Sequence, residues 1–200
     1  MREIIFALFV PLLVTAAAAA QTKNAGALVQ QTGWEEFAPE GADFSILFPT
    51  KPVEAITEKT NYTLHSFTSV AGRGTYVASY TDYKQIKLEP AAFLIANRDR
   101  FIKSMQATLV SNREITLNGH AGIEFTGVNS AANIRSQVFL VGNRLFQTAT
   151  MILKDVDQTT YVNRFFDSFK FSHKEAPKAQ EPQEPQEAQK AQEVLTRLEY

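Results

Sequence analysis

Asn118-Gly119 divides the stretch "TLVSNREITLNGHAGIEFTGV" into two apolar-alternating runs, and Gly142-Asn143 divides "IRSQVFLVGNRLFQTATMIL" in the same way. A two-residue hairpin loop needs backbone at positive φ, which glycine and asparagine reach at little cost, so each stretch is predicted to be a β-hairpin. Four strands in succession, closed by tight turns, commit this half of the chain to antiparallel pairing. A parallel sheet would need a crossover of a dozen or more residues between neighbouring strands.

The first half repeats the pattern. "WEEFAPEGADFSILFPTKP" predicts a short strand at Trp34, a turn over 39–42, and a strand over 43–48 with Phe44, Ile46 and Phe48 on one face, ended by Pro49 and Pro52. From Glu54 to Tyr83 the alternation is again of the strand type. Tyr62, Leu64 and Val70 alternate with Thr63, His65 and Phe67, and after the "AGRG" turn Tyr76, Ala78 and Tyr80 alternate with Val77, Ser79 and Thr81. Two segments have helical period instead. Pro90 suits a first helical turn and is followed by Ala91, Leu94, Ile95, Arg98, Phe101, Ile102 and Met105 at helical spacing, which leaves Asn97, Asp99, Arg100 and Lys103 outside. Tyr161, Val162, Phe165, Phe166 and Phe169 mark a second helix, with Asp155 or Asp157 as N-cap. The pattern predicts an α+β fold, an antiparallel β-sheet flanked by helices in an α/β/α sandwich, and excludes a doubly wound one.

The chain has 200 residues, 44% of them hydrophobic, with 19 aromatic side chains between Trp34 and His173 and no cysteine. That apolar content supports one core without disulfides or a structural metal. The formal net charge is −1, and neither the central residues nor the tail has the basic excess of a nucleic-acid-binding surface. At the N-terminus Arg2 precedes the apolar run Ile4–Val14 and the alanines 16–20, the order of a secretory signal peptide cleaved after Ala20. The expected location is the periplasm or the medium of a bacterium, with no stable membrane insertion after signal cleavage. The competing reading is a retained anchor, because 17 residues lie at the short edge of a span. The expected organisation is a signal peptide at 1–20, a flexible leader at 21–33, a domain at 34–173, and a Pro/Gln/Glu-rich disordered tail at 174–200. In the tail, Val194, Leu195 and Leu198 fall on one side of a short terminal helix. Cutting after Lys174 removes no predicted core residue, so the tail is expected to be a spacer.

The segments "W..F...GADFSILFPTKP", the helix after "LEP", "LNGHAGIEF", "GNRLFQTATM" and "FFDSFKF" together resemble the Mog1/PsbP-like superfamily, in its bacterial exported (DcrB-like) members, over roughly residues 34–171. The resemblance implies an antiparallel sheet with helices on both faces. It also implies an auxiliary role, since known members dock on larger assemblies, a photosystem in one branch and a small GTPase in another. It brings no catalytic residue and no binding residue to any position here.

The residues themselves point to no reaction. His65, His120 and His173 lack metal-type spacing. There is no GxSxG elbow, and "AGRGT" joins two strands and lacks the ending of a phosphate loop. Glu35 and Glu36 are strand neighbours that point to opposite faces and cannot share a proton. Asn61-Tyr62-Thr63 matches a glycosylation sequon by coincidence in a chain of bacterial character. No catalytic, cofactor-binding or metal residue is therefore assigned, and no cofactor. The expectation is a non-enzymatic module that binds an unidentified protein partner in the cell envelope, the alternative being a small-ligand-binding protein or an enzyme whose site is not recognisable from sequence.

Overall fold

A computed structural model of the chain describes residues 33–172. The expected signal peptide and tail, nearly all of the expected leader, and His173 lie outside the described residues.

In chain order the elements are β1 (Glu35–Phe37), β2 (Phe44–Phe48), β3 (Val53–Lys59), β4 (Tyr62–Ala71), β5 (Gly74–Tyr83), α1 (Pro90–Ser104), β6 (Thr108–Leu117), β7 (His120–Val128), β8 (Ala132–Val141), β9 (Arg144–Leu153), α2 (Thr159–Asp167) and β10 (Lys170–Phe171). Seven strands form one sheet in the order β3-β4-β5-β9-β8-β7-β6, and every neighbouring pair is antiparallel. The fold is therefore α+β, a mostly antiparallel sheet with two helices. Both predicted hairpins form. Asn118 and Gly119 sit at φ 50° and 81°, and Gly142 at φ 59°, the region that their loops require.

β1 and β2 do not join this sheet. With β10 they form a separate three-stranded sheet in the order β1-β2-β10. The two residues of β10 are too few to show an alternation in the sequence. Phe44, Ile46 and Phe48 are buried as expected and share a core cluster with Phe165, Phe166, Phe169, Tyr76, Ala78, Tyr80, Phe139 and Phe146. A second cluster joins Phe93, Leu94, Phe101 and Ile102 of α1 to Val77, Ile123, Phe125, Ile134, Val138 and Leu145. Along β5, Tyr76, Ala78 and Tyr80 belong to the first cluster and Val77 to the second. Because strand side chains alternate, the two cores lie on opposite faces of the seven-stranded sheet.

Three details differ from the sequence reading, and one goes beyond it. In β4 the alternation leaves the inward set open, and in the second half that set is Phe67, Ser69 and Ala71, while Val70 is 62% exposed. Both faces of this strand carry mixed residues, and the layer over each one decides. α1 is rotated from the predicted stripe: Phe93, Leu94, Phe101 and Ile102 are buried, Ala91 and Ile95 are exposed, and Asn97 is half-buried. The N-cap of α2 is Gln158, not an aspartate. Asp157, one residue earlier, accepts from the backbone N–H and the hydroxyl of Thr159 at 2.9 and 2.7 Å, an Asx turn that leads into the helix. Phe169 lies past the end of α2, where the Ser168 hydroxyl donates to the Phe165 carbonyl and accepts from the Leu47 N–H.

Candidate functional site

The histidines are placed apart. His65 on β4 stacks on Tyr80 with ring centroids 4.5 Å apart and meets Glu54 of β3 at 3.1 Å. His120, which opens β7, lies edge-on to Phe171. Among the described residues no group of three His, Asp or Glu side chains could hold a metal ion. The "AGRGT" segment is the β4–β5 turn, and Glu35 and Glu36 are both exposed.

Two ionic clusters that the sequence reading missed stand on the α2-bearing face. Arg144 donates from Nε and one terminal nitrogen to both oxygens of Asp82, at 2.6 and 2.9 Å, and from the other to Asp43 at 2.6 Å and to the Gly41 carbonyl at 2.7 Å. Its guanidinium also lies over the Tyr80 ring. The cluster ties the small sheet to β5 and β9. Burial raises the Tyr80 phenol above its ordinary value, and Arg144 opposes that shift. The second cluster surrounds Glu124, a buried carboxylate on β7. One oxygen accepts from Arg113, and the other from Arg135 and Gln137 at 2.7 and 2.8 Å. Burial alone would raise its pKa, but the hydrogen bonds from Gln137, Arg135 and Arg113 outweigh that and hold it below the ordinary glutamate value. Arg135 continues to Asn163 and the Phe166 ring of α2. The pairing was available in the sequence, because counting outward from Asn118-Gly119 sets Arg113 directly opposite Glu124. In both clusters the acid is already occupied by guanidinium, so neither is a free general acid or base.

Two concavities among the described residues bear on binding. On the α1 face a cleft of about 40 Å³ is bounded by Tyr83, Ser79, Thr81, Gln147, Asn97 and Arg100. The Asn97 Oδ1 atom is buried there with no hydrogen-bond partner. The volume suits ordered water, which such an atom requires. Beside it, burial raises the Tyr83 phenol, and Arg100 works against the shift. On the other face a groove of about 230 Å³ runs between α2 and the sheet, lined by Val110, Val128, Ile152, Val162, Thr126 and Arg135, among others.

The α1 face is unevenly covered. α1 packs over β6, β7 and β8, whereas toward the opposite edge Val53 and Val70 are 72% and 62% exposed. The register pairs Val53 with Thr68, Val70 with Thr75 and Thr75 with Met151, so an apolar-to-threonine band crosses β3, β4, β5 and β9. Among the described residues no helix is long and apolar enough to cross a membrane.

No protein-family signature matches the chain, and no curated protein matches it in sequence. Solved structures do. The solution structure of cyanobacterial PsbP (CyanoP) from Synechocystis sp. PCC 6803 superposes with a TM-score of 0.52 at 10% identity, covering 74% of this chain and 98% of that one. More distant likenesses are PA94 of Pseudomonas aeruginosa, a protein of unknown function (TM-score 0.36, 14% identity, 61% and 84% covered), and a protein of Bacteroides thetaiotaomicron VPI-5482 (0.34, 15%, 70% and 49%). At these identities the likeness concerns fold alone: the chain has the Mog1/PsbP-like fold of the cyanobacterial protein.

Proposed function

We propose that this chain is an exported, non-enzymatic accessory module that binds a protein partner in the bacterial cell envelope through the uncovered part of its α1 face. The supporting observation is the band anchored by Val53 and Val70. Large aliphatic side chains exposed together on an open sheet face are the usual mark of an interaction surface. Architecturally we read the fold as an α/β/α sandwich, with α1 as one outer layer and α2 with the small sheet as the other. We divide the chain into a signal peptide at 1–20, a leader at 21–33, the domain at 34–173 and a tail at 174–200. The resemblance to a superfamily of auxiliary docking factors agrees with this reading, and the near-neutral charge favours a protein over a nucleic acid.

A second reading, a small-ligand binder or an enzyme, draws on the α1-side cleft with its unpartnered Asn97 Oδ1. At about 40 Å³ that cleft is far below the several hundred Å³ of ordinary ligand pockets. The test is affinity capture from envelope extract with mass spectrometry, comparing the native chain with Val53→Asp/Val70→Asp. We expect one dominant protein that the variant fails to retain at unchanged melting temperature. Equal recovery by both chains would contradict the reading.

A further inference from the structure

The groove on the α2 face is independent of the partner surface, which lies on the other side of the sheet. Its walls are aliphatic: Val162 from the first turn of α2, Val128 and Ile152 from the sheet, and Val110, which is 65% exposed on the edge strand β6. Apolar cavities of ~150 Å³ hold a benzene-sized group, so about 230 Å³ has room for two branched aliphatic side chains.

We propose that this groove is the docking site of the chain's own residues 194–198, which carry Val194, Leu195 and Leu198. Two observations select that occupant. First, the described chain leaves the fold on the same face. Phe171 packs against His120, Phe139 and Phe146, and the Ser172 N–H bonds to the Asp43 carbonyl. The exit is beside the first residue of β7, and the groove is at that strand's other end. Second, the length fits. His120 to Val128 is eight residues of strand, about 27 Å at ~3.4 Å per residue. Residues 173–193 separate Ser172 from Val194, and a flexible chain of that length has a root-mean-square span of about 25 Å. Effective concentration is greatest when connector and span match. The N-terminal segment is the competing occupant, because Trp34 packs on Tyr76 and on Tyr161 in the first turn of α2, with Arg164 over its ring, and the test separates the two.

The absence of cysteine permits a direct test. Arg197→Cys in the intact chain gives one site for a nitroxide label. We expect the methyl signals of Val110, Val128, Ile152 and Val162 to broaden several-fold more than those of Val53 and Val70, independently of concentration. Leu195→Asp/Leu198→Asp, outside the described fold, should abolish the difference, as should Val110→Asp at the groove's exposed wall. The proposal is overturned by uniform or absent broadening. It is overturned equally by broadening that arises only between labelled and isotope-enriched copies, which would assign the groove to a second copy. A label at Ala25→Cys that broadens the groove while one at position 197 does not would assign it to the N-terminal segment and would also overturn it.

Discussion

Replacing Phe165 by alanine removes the most enclosed aromatic of the α2-side core. The ring is 0% exposed and meets Phe48 and Tyr76 at 5.4 Å and Phe166 at 5.5 Å between centroids. Burying the atoms lost between Phe and Ala, roughly 100 Å² of apolar surface, is worth about 2.5 kcal/mol at ~25 cal/mol per Å². A vacated volume near 100 Å³ adds about 2 kcal/mol if the neighbours stay in place. Three aromatic neighbours hold that shape, so about 4 kcal/mol is expected. Phe101, 5% exposed on the other face, borders the α1-side cleft. Its neighbours have room to close in, which sets its loss near 3 kcal/mol, the lower end for Phe→Ala. Urea unfolding followed by circular dichroism reads both values as changes in midpoint at constant slope. The milder pair Phe165→Leu and Phe101→Leu, at about 1 kcal/mol each, tests the layering. Residues separated by a sheet and sharing no partner should add within ~0.5 kcal/mol. A loss under about 1 kcal/mol for either alanine variant, or leucine variants coupled by more than about 1 kcal/mol, would refute the assignment of two separate cores.

Other outcomes follow from single positions. Gly122→Ala would set a Cβ against the Val138 carbonyl oxygen and the Phe139 ring, and thermal unfolding should show a loss of roughly 2 kcal/mol or more from overpacking. The Glu124 carboxyl is held below its ordinary 4.5, so the stability it contributes is complete above that value and fades as pH falls through the lower folded value. Urea midpoints between pH 6 and 3 should show this slope, flattened in Glu124→Gln. The Tyr76 phenol, which donates to Gln158 at 2.8 Å, is pushed by burial and by Tyr161 up to about 12. Alkaline absorbance titration should therefore lose one late-ionising tyrosine in Tyr76→Phe.

The turns were legible because their chemistry is local: Asn118-Gly119 needs positive φ whatever surrounds it. The existence of α1 was legible from Pro90 and the helical period that follows it. Its rotation was not, because Ala91, Ile95 and Phe93 offer overlapping stripes and only the sheet beneath selects Phe93. The inward set of β4 was open for a related reason, since period-two spacing defines two sets of residues without saying which set meets a packed layer. The separation of β2 from the main sheet depends on β10, two residues over 100 positions away, and no local pattern reaches that far. The Arg113–Glu124 pair was within reach of the sequence once the hairpin was counted out. The α2-side groove was not, because it is assembled from β6, β7, β8, β9 and α2 and exists only where they meet.

The proposed role as a partner-binding module rests on the open part of the α1 face, and site-specific photocrosslinking in living cells addresses that surface directly. A crosslinking residue placed singly at Val53 and at Val70 should capture the same discrete envelope protein. One placed at Ile56, exposed on the opposite face of β3, should not. Crosslinks of equal yield from all three positions, or none from Val53 and Val70 in a chain that remains folded, would contradict the account.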